Sequence, residues 1–429
     1  MLFTDISLID ENFTLKTHQY VIVLGDRIRY IGETKPKEAY GVTIDGKDRL
    51  LMPGFYNAHA HSPMALMRGY GENMHLHDWL TKRIFPFESQ LYPEAVYWAT
   101  LLCMAESFQY GIVSTSDMYY FCEDMARAVE ESGAKSNLSR AVTNPTGQDF
   151  ASLTSVKEAV ALAKTYHGAA GGRIKVDMSL HAEYTSDEET VRRLAELTTD
   201  LDLRMHVHVS ETREEHEACK KRHQGRSPVR YLRDAGLFDQ PTTAAHCVWV
   251  EEEDREILAE KKVTVATNPV SNLKLGSGIC DVQALLDRGI PVAIGTDSVA
   301  SNNNLNFLEE MKLMTLLAKV RSGKPEALRP GEALRAATRT GAEAQGRMDS
   351  GLLRQGMKAD LVLLRTDRPN MNPCHDLLTN IVLSATDSDI VMTVIDGKVV
   401  YDNGAYPTVD VERARFEVEQ ARKAILSKL

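Results

Sequence analysis

Residues 202–211 read DLRMHVHVSE, a short apolar and β-branched run that closes on polar side chains, and the same texture recurs along the chain. It is preceded by RIKVDMSLHA (173–182) and followed by TTAAHC (242–247), KVTVATNP (262–269) and PVAIGTDS (291–298). Stretches with apolar residues at helical spacing lie between them, so strand and helix alternate, the pattern of a parallel sheet. Working outward, GIVSTSDM (111–118), NLSRAVTN (137–144) and LLMPGFYNAHAH (50–61) bring the candidate strands to about eight. Eight favours a closed (β/α)₈ TIM barrel of the α/β class over an open doubly wound sheet. No GxGxxG or phosphate-binding loop follows a strand.

The flanks read differently. Residues 1–50 alternate apolar and polar positions in runs such as YVIVLGDRIRYIG (20–32), and KADLVLLRT (358–366) and IVMTVIDGKVVYDNG (390–404) repeat that texture, with Asp396-Gly397 as a tight hairpin turn. The expected organisation is a small β-sandwich built from residues 1–52 and 350–408, a barrel over 53–349, and a C-terminal helix over 409–429.

Composition narrows the partners. The 429 residues are 43% hydrophobic with a formal charge of −10, enough for a sizeable core and without a basic stripe for nucleic acid or an anionic membrane. Six scattered cysteines form no CxxC, so they read as thiols in a reducing cytoplasm. The first residues, MLFTDISLIDENF, do not have the pattern of a signal peptide, and no apolar run reaches the roughly 20 residues of a membrane helix. A cytoplasmic protein acting on small neutral or cationic molecules is the expectation.

Catalytic groups of a barrel stand at the C-terminal ends of its strands. His59, His61, His181, His208, Glu211, His246 and Asp297 all fall at or just past such an end. In His59-Ala60-His61 the period of two puts both imidazoles on one strand face, within reach of one ion, although two structural histidines bonded to backbone carbonyls would give the same tripeptide. His208 reads as a further ligand and Glu211 as a proton shuttle. His206 reads as a histidine packed beneath the metal, with an exchange of roles between His206 and His208 left open. Asp297 can bind a hard or borderline cation, with Gly295 allowing close packing. Three histidines and one aspartate on separate strands leave a coordination position for water, as a catalytic ion requires.

PGFYNAHAH (53–61), HVHVSE (206–211), AAH (244–246), NPVSNLKLGSG (268–278) and GTDSVASNNNLNFLEEM (295–311), together with GMKADLVLL and DGKVVY near the end, resemble the signature blocks of the amidohydrolase superfamily. Within it the closer resemblance is to the methylthioadenosine/S-adenosylhomocysteine deaminase branch, beside its chlorohydrolase and guanine deaminase relatives. The resemblance implies one divalent ion, zinc with iron as the alternative, on His59, His61, His208 and Asp297. The fourth-strand run has its only lysine, Lys175, near its start, which argues against a second, lysine-bridged metal. It further implies that Asp297 and His246 take a proton from activated water, which attacks the amine-bearing ring carbon of an adenine nucleoside. Glu211 protonates the adjacent ring nitrogen, and ammonia leaves.

Substrate contacts carry over from the same branch. Glu88 in IFPFE (84–88) is implied to hold the ribose hydroxyls; without the resemblance it reads as a solvated helix carboxylate. His181 is implied to contact purine or sugar, Ser301 to add a polar contact or cap a helix, and Trp79 to wall the pocket or pack beneath it. Residues 141–157, AVTNPTGQDFASLTSVK, hold no arginine to grip a homocysteine carboxylate, so adenosine, 5′-deoxyadenosine or 5′-methylthioadenosine are the expected substrates. The rival readings are a hydrolase of another heterocycle (guanine, a pterin, a triazine, a cyclic amide) and a non-catalytic scaffold. Relatives of this kind are commonly homo-oligomers.

Overall fold

Alternation in the first fifty residues produces five strands in the computed structural model, which describes residues 1–37 and 40–429. These are β1 (Leu2–Ile9), β2 (Leu15–Leu24), β3 (Arg27–Gly32), β4 (Thr43–Asp45) and β5 (Arg49–Pro53). Nine further strands follow: β6 (Phe55–Ala60), β7 (Ile112–Tyr119), β8 (Lys135–Val142), β9 (Ile174–Val176), β10 (Met178–Ala182), β11 (Met205–Val209), β12 (Thr242–His246), β13 (Thr264–Thr267) and β14 (Val292–Ile294). Three more complete the set: β15 (Leu361–Arg365), β16 (Ile390–Ile395) and β17 (Lys398–Asp402).

The middle group is parallel throughout and runs β14-β13-β12-β11-β10-β8-β7-β6, with β9 added beside β8. Closure comes just past the end of β14, where a parallel bridge pairs Asp297 with Ala60 and the Asp297 N–H donates to the His59 carbonyl at 3.0 Å. The sheet is therefore a barrel, and its closing seam brings the HAH segment against Asp297. Helices such as Pro93–Gln109, Glu188–Asp200 and Phe307–Ser322 link successive strands.

One strand departs from its sequence reading. RIKVDMSLHA divides into β9 and β10 at Asp177, a buried carboxylate that accepts from Asn137 Nδ2 at 3.0 and 3.1 Å. A charged side chain with its own partner interrupts the ladder there, and β10 goes on to pair with both β8 and β11.

The two chain ends meet in one sheet, ordered β17-β16-β15-β5-β1-β2-β3, with β5 and β15 antiparallel at the junction. This sheet folds over its own core of Phe3, Ile6, Val21, Ile28, Leu51 and Leu363. The fold-over is pinned where β3 meets the segment entering β15: Ile28 N donates to Met357 O at 2.9 Å and Ala359 N to Asp26 O at 2.8 Å. Asp396-Gly397 forms the expected two-residue hairpin turn, with φ of 47° and 74°, the left-handed region that such turns need. Lys135 of β8 reaches Asp360 at 2.6 Å and Asp396 at 2.7 Å, tying barrel to sheet through a buried ion cluster. The last helix, Val411–Leu426, packs on Pro93–Gln109.

Candidate active site

At the C-terminal mouth of the barrel, five side chains from three strands and the closing seam point their donor atoms at one space. The Nε2 atoms of His59 and His61 lie 3.6 and 3.4 Å from Asp297 Oδ1, and His208 Nε2 lies 3.4 Å from His61 Nε2. Donor atoms of His59, His61 and His208 fall within 4.8 Å of one another, as do those of His59, His246 and Asp297.

The far side of each ring decides which nitrogen is free. His61 Nδ1 sits 2.6 Å from the Met118 carbonyl and His208 Nδ1 2.6 Å from the His181 carbonyl. A carbonyl only accepts, so both rings carry hydrogen on Nδ1 and present the Nε2 lone pair inward, the tautomer a metal ligand needs. His59 Nδ1 is held by His206 Nε2 at 2.9 Å, which puts His206 behind the cluster and His208 in it. The buried Nε2 atoms of His59 and His246 have no hydrogen-bond partner among the described residues. Unpartnered nitrogens in a closed space suit a cation that takes up their lone pairs, and three imidazoles with a carboxylate suit a borderline divalent ion.

Burial and the neighbouring rings hold His59 and His208 well below the ordinary imidazole range, and burial lowers His206 to about 3 and His181 to about 4. Neutral rings are what ligation requires. His246 goes the other way: burial opposes its charge, but the carboxylates of Glu211 and Asp297 outweigh that and raise it. His246 Nε2 lies 3.7 Å from Glu211 Oε2 and its Nδ1 2.9 Å from Asn272 Oδ1. Burial also raises Glu211, whose Oε1 accepts from Ser277 Oγ at 3.2 Å.

The backbone makes these approaches possible. His246 and Asp297 adopt φ of 73° and 59°, left-handed values that cost about 1–3 kcal/mol and persist where surrounding structure enforces them. Asp297 is enforced by Ser298 N donating to Oδ1 at 2.7 Å and Ser271 Oγ donating to Oδ2 at 2.5 Å. Gly295 faces Asn268 and His59 so closely that a Cβ there would lie 2.2 Å from Asn268 Oδ1 and 2.7 Å from His59 Cβ.

A cavity opens on this cluster. His61, His181, His208, Glu211, His246 and Asp297 line it together with Trp79, Tyr119, Tyr120, Tyr184 and Glu88. Burial raises the Glu88 carboxyl to about 7, with Tyr119 and Arg140 pulling it back. Trp79 is both buried and part of the wall, so its two readings are compatible. Ser301 is not part of the wall. Its hydroxyl lies 2.9 Å from Ser271 Oγ and its N–H is capped by Ser298, so it stands behind Asp297 because the short helix Val299–Asn302 turns it away.

Several supporting residues were not singled out from sequence. Ser271, Asn272 and Ser277 come from the NPVSNLKLGSG block, whose position just past a strand was the available signal. Glu215 accepts from the N–H groups of Ser210 and Glu211 and so fixes the turn that carries Glu211. Arg140 lies inside β8, one residue before the arginine-free stretch. It crosses the Tyr120 ring at 4.7 Å and donates to the Ala141 carbonyl at 2.6 Å, and Tyr120 and Ala141 both line the cavity.

A barrel whose mouth gathers imidazoles and one carboxylate in this arrangement is the architecture of a hydrolase, and the chain belongs to the amidohydrolase family, whose sequence profile matches residues 50–400. It is 39% identical over 431 residues to a 5-methylthioadenosine/S-adenosylhomocysteine deaminase of Thermoanaerobacter pseudethanolicus, covering 100% of both chains. It is also 39% identical over 404 residues to a 5′-deoxyadenosine deaminase of Methanosarcina acetivorans, covering 94% of this chain and 92% of that one. Among solved structures, a zinc-bound adenosine deaminase from Xanthomonas campestris superposes with a TM-score of 0.92 at 28% identity, over 99% of this chain and 98% of that one.

Proposed function

We propose that the chain is a metal-dependent hydrolytic deaminase of adenine nucleosides, with adenosine, 5′-deoxyadenosine and 5′-methylthioadenosine as the substrates it accepts. The observation that carries this reading is that inward-facing Nε2 atoms, a proton-carrying pair (Glu211 and His246) and a carboxyl suited to sugar hydroxyls (Glu88) share one cavity. The names and identities of the relatives support the same chemistry.

In this reading His59, His61, His208 and Asp297 hold a single divalent ion, zinc with iron as the alternative. When bound, the ion supplies Lewis-acid activation of water at neutral pH. Asp297 Oδ1 and His246 Nε2 face the same space and take up the proton that water loses. Glu211, kept protonatable by burial, delivers a proton to the ring nitrogen beside the amine-bearing carbon, so the ring does not carry negative charge as ammonia departs. His181 lines the cavity as a neutral ring and contacts purine or sugar. Glu88 accepts from two ribose hydroxyls in charge-assisted hydrogen bonds. Arg140, close to Glu88 and paired with Glu158 at 2.6 Å, brings a cation to the wall, which keeps a carboxylate-bearing 5′ substituent such as that of S-adenosylhomocysteine among the candidates. The protein acts on small molecules as a homo-oligomer, and among the described residues no helix is long and apolar enough to cross a membrane.

The test is ammonia release by the metal-loaded protein from these nucleosides and from free adenine. Nucleosides should be turned over, and Glu88→Gln should lower kcat/KM for them by roughly 30- to 100-fold, the worth of a charge-assisted hydrogen bond, with little effect on adenine. No ammonia from any nucleoside overturns the proposal. Equal loss on nucleoside and free base removes Glu88 from the ribose.

A further inference from the structure

A second cavity lies at the opposite end of the barrel, where the strands begin, and Lys175, Arg347, Gly172 and Gly346 form one of its walls. Lys175 stands in β9, and Arg204, one residue ahead of β11, reaches the same wall at Gly346. Their charged ends converge: a Cβ built on Gly346 would lie 3.5 Å from Lys175 Nζ and 3.6 Å from Arg204 Nη1. Among the described residues Lys175, Arg204 and Arg347 form no ion pair, and the Arg204 guanidinium makes no hydrogen bond either. Arg347 is 5% exposed, and its Nε, like that of Arg204, is buried without a partner. The other Arg347 nitrogens donate to Gly172 O at 3.1 Å, Arg173 O at 2.8 Å and Asn137 Oδ1 at 3.1 Å, and Lys175 Nζ donates to Gly346 O at 2.6 Å. Neutral acceptors thus orient these cations without neutralising them. The carboxylates that border the cavity are engaged elsewhere, Asp396 with Lys135 and Lys358 at 2.7 and 3.4 Å, and Asp349 with Arg27 at 2.8 Å. Asp177, bonded to Asn137, acts on all three cations but pairs with none. Burial lowers all three below their ordinary ranges, and Arg347 and Arg204 push Lys175 down further. A buried charge is unfavourable unless it is paired.

We propose that this cavity binds a small dianionic oxyanion of the phosphate class, taken up between Lys175, Arg204 and Arg347. Three cations set against the one carboxylate of Asp177 leave a surplus of two positive charges, which a dianion matches. A phosphoryl group also offers several acceptor oxygens to donors that converge from different elements, and guanidinium and ammonium groups are suited to it. A Cβ on Gly171 or Gly172 would meet no atom within 4 Å, so the wall beside them is open to a ligand. Inorganic phosphate and a phosphate monoester present the same group. The site is independent of the nucleoside chemistry, because none of its residues lines the catalytic cavity.

Calorimetric titration of the metal-loaded full chain with inorganic phosphate in chloride buffer tests it. One phosphate should bind per chain and raise the thermal midpoint above that in chloride of equal ionic strength. Arg204→Met, and separately Lys175→Met, should weaken binding by roughly 30-fold or more, with ammonia release per chain unchanged. Because the Arg204 guanidinium bonds to no described residue, Arg204→Met should be at least as stable as the wild type in chloride and less stable in phosphate. A merely structural arginine would not give that reversal. Glycerol phosphate titrated in parallel separates the sources: tighter binding than phosphate assigns the site to a phosphate ester, weaker binding to the free anion. Equal stabilisation by chloride and phosphate, or binding that survives both substitutions, overturns the proposal. So does binding that disappears in a His61→Ala, His208→Ala variant while persisting in Arg204→Met, since that places the anion at the catalytic cluster.

Discussion

Gly295 shows how little room the metal cluster has. Because an added Cβ would meet Asn268 and the backbone and Cβ of His59 within 3.0 Å, Gly295→Ala should displace His59 from the donor set. The expected outcome is a fall in bound metal per chain, measured by elemental analysis, and a loss of roughly 100-fold in kcat/KM, the usual consequence of shifting a catalytic group by about 1 Å. Glu211→Gln should behave differently. In the proposed mechanism that side chain moves a proton and does not hold the ion, so metal content should stay at the wild-type level while kcat falls by about 10²- to 10⁴-fold. At this scale the sequence was readable where a residue type and a strand end coincide, as for His59, His61, His208 and Asp297. It was less readable for Ser271, Asn272 and Ser277, because serine and asparagine in a loop have many roles and only their distances to Asp297, His246 and Glu211 pick one out. Ser301 was displaced from the cavity for a related reason: a four-residue helix, invisible in periodicity, decides which way it faces.

Among the elements, strands β10 and β11 carry an acid sensitivity. His181 and His206 are buried and held near 4 and 3 against an ordinary value near 6.5. Their folded pKa lies below the unfolded one, so the neutral form is favoured by folding. The stabilisation is complete above about pH 6.5 and is lost as pH falls toward 4 and then 3, each ring contributing roughly 3–5 kcal/mol at about 1.4 kcal/mol per pH unit. The metal-free protein should therefore lose thermal stability steeply between pH 6.5 and 4, followed by scanning calorimetry, and His206→Asn should flatten that slope. Element boundaries explain one sequence misreading and one omission. NLSRAVTN was legible as a strand and contains Arg140, but that this side chain lies against Tyr120 and Ala141 of the cavity wall is a tertiary placement the run does not report. The fourth strand looked continuous because apolar residues flank Asp177, and burial of that carboxylate against Asn137 is a tertiary event that periodicity does not report.

Across the whole molecule, Lys135 joins the barrel to the sheet made by the two chain ends. Its ammonium is buried against Asp360 and Asp396, and the Tyr56 hydroxyl also donates to Asp360 at 2.5 Å. Removing one partner strands the others in low dielectric, so Lys135→Met should cost about 3–5 kcal/mol of unfolding free energy in a denaturant titration. The barrel was legible because eight apolar runs alternate with helical segments. The pairing of residues near 50 with residues near 362 was anticipated only as shared texture, since strand partners more than 300 residues apart leave no local mark.

In the proposed function one ion on His59, His61, His208 and Asp297 supports hydrolytic deamination of an adenine nucleoside. Its most direct measurement pairs metal stoichiometry with ammonia release from 5′-deoxyadenosine in the same preparation, before chelation, after it, and after zinc is restored. One ion per chain is expected, with activity lost with the ion and regained with it, and neither ion nor activity in a His61→Ala, His208→Ala variant. Deamination that survives complete removal of the metal, or a zinc-loaded protein that releases no ammonia, would contradict it.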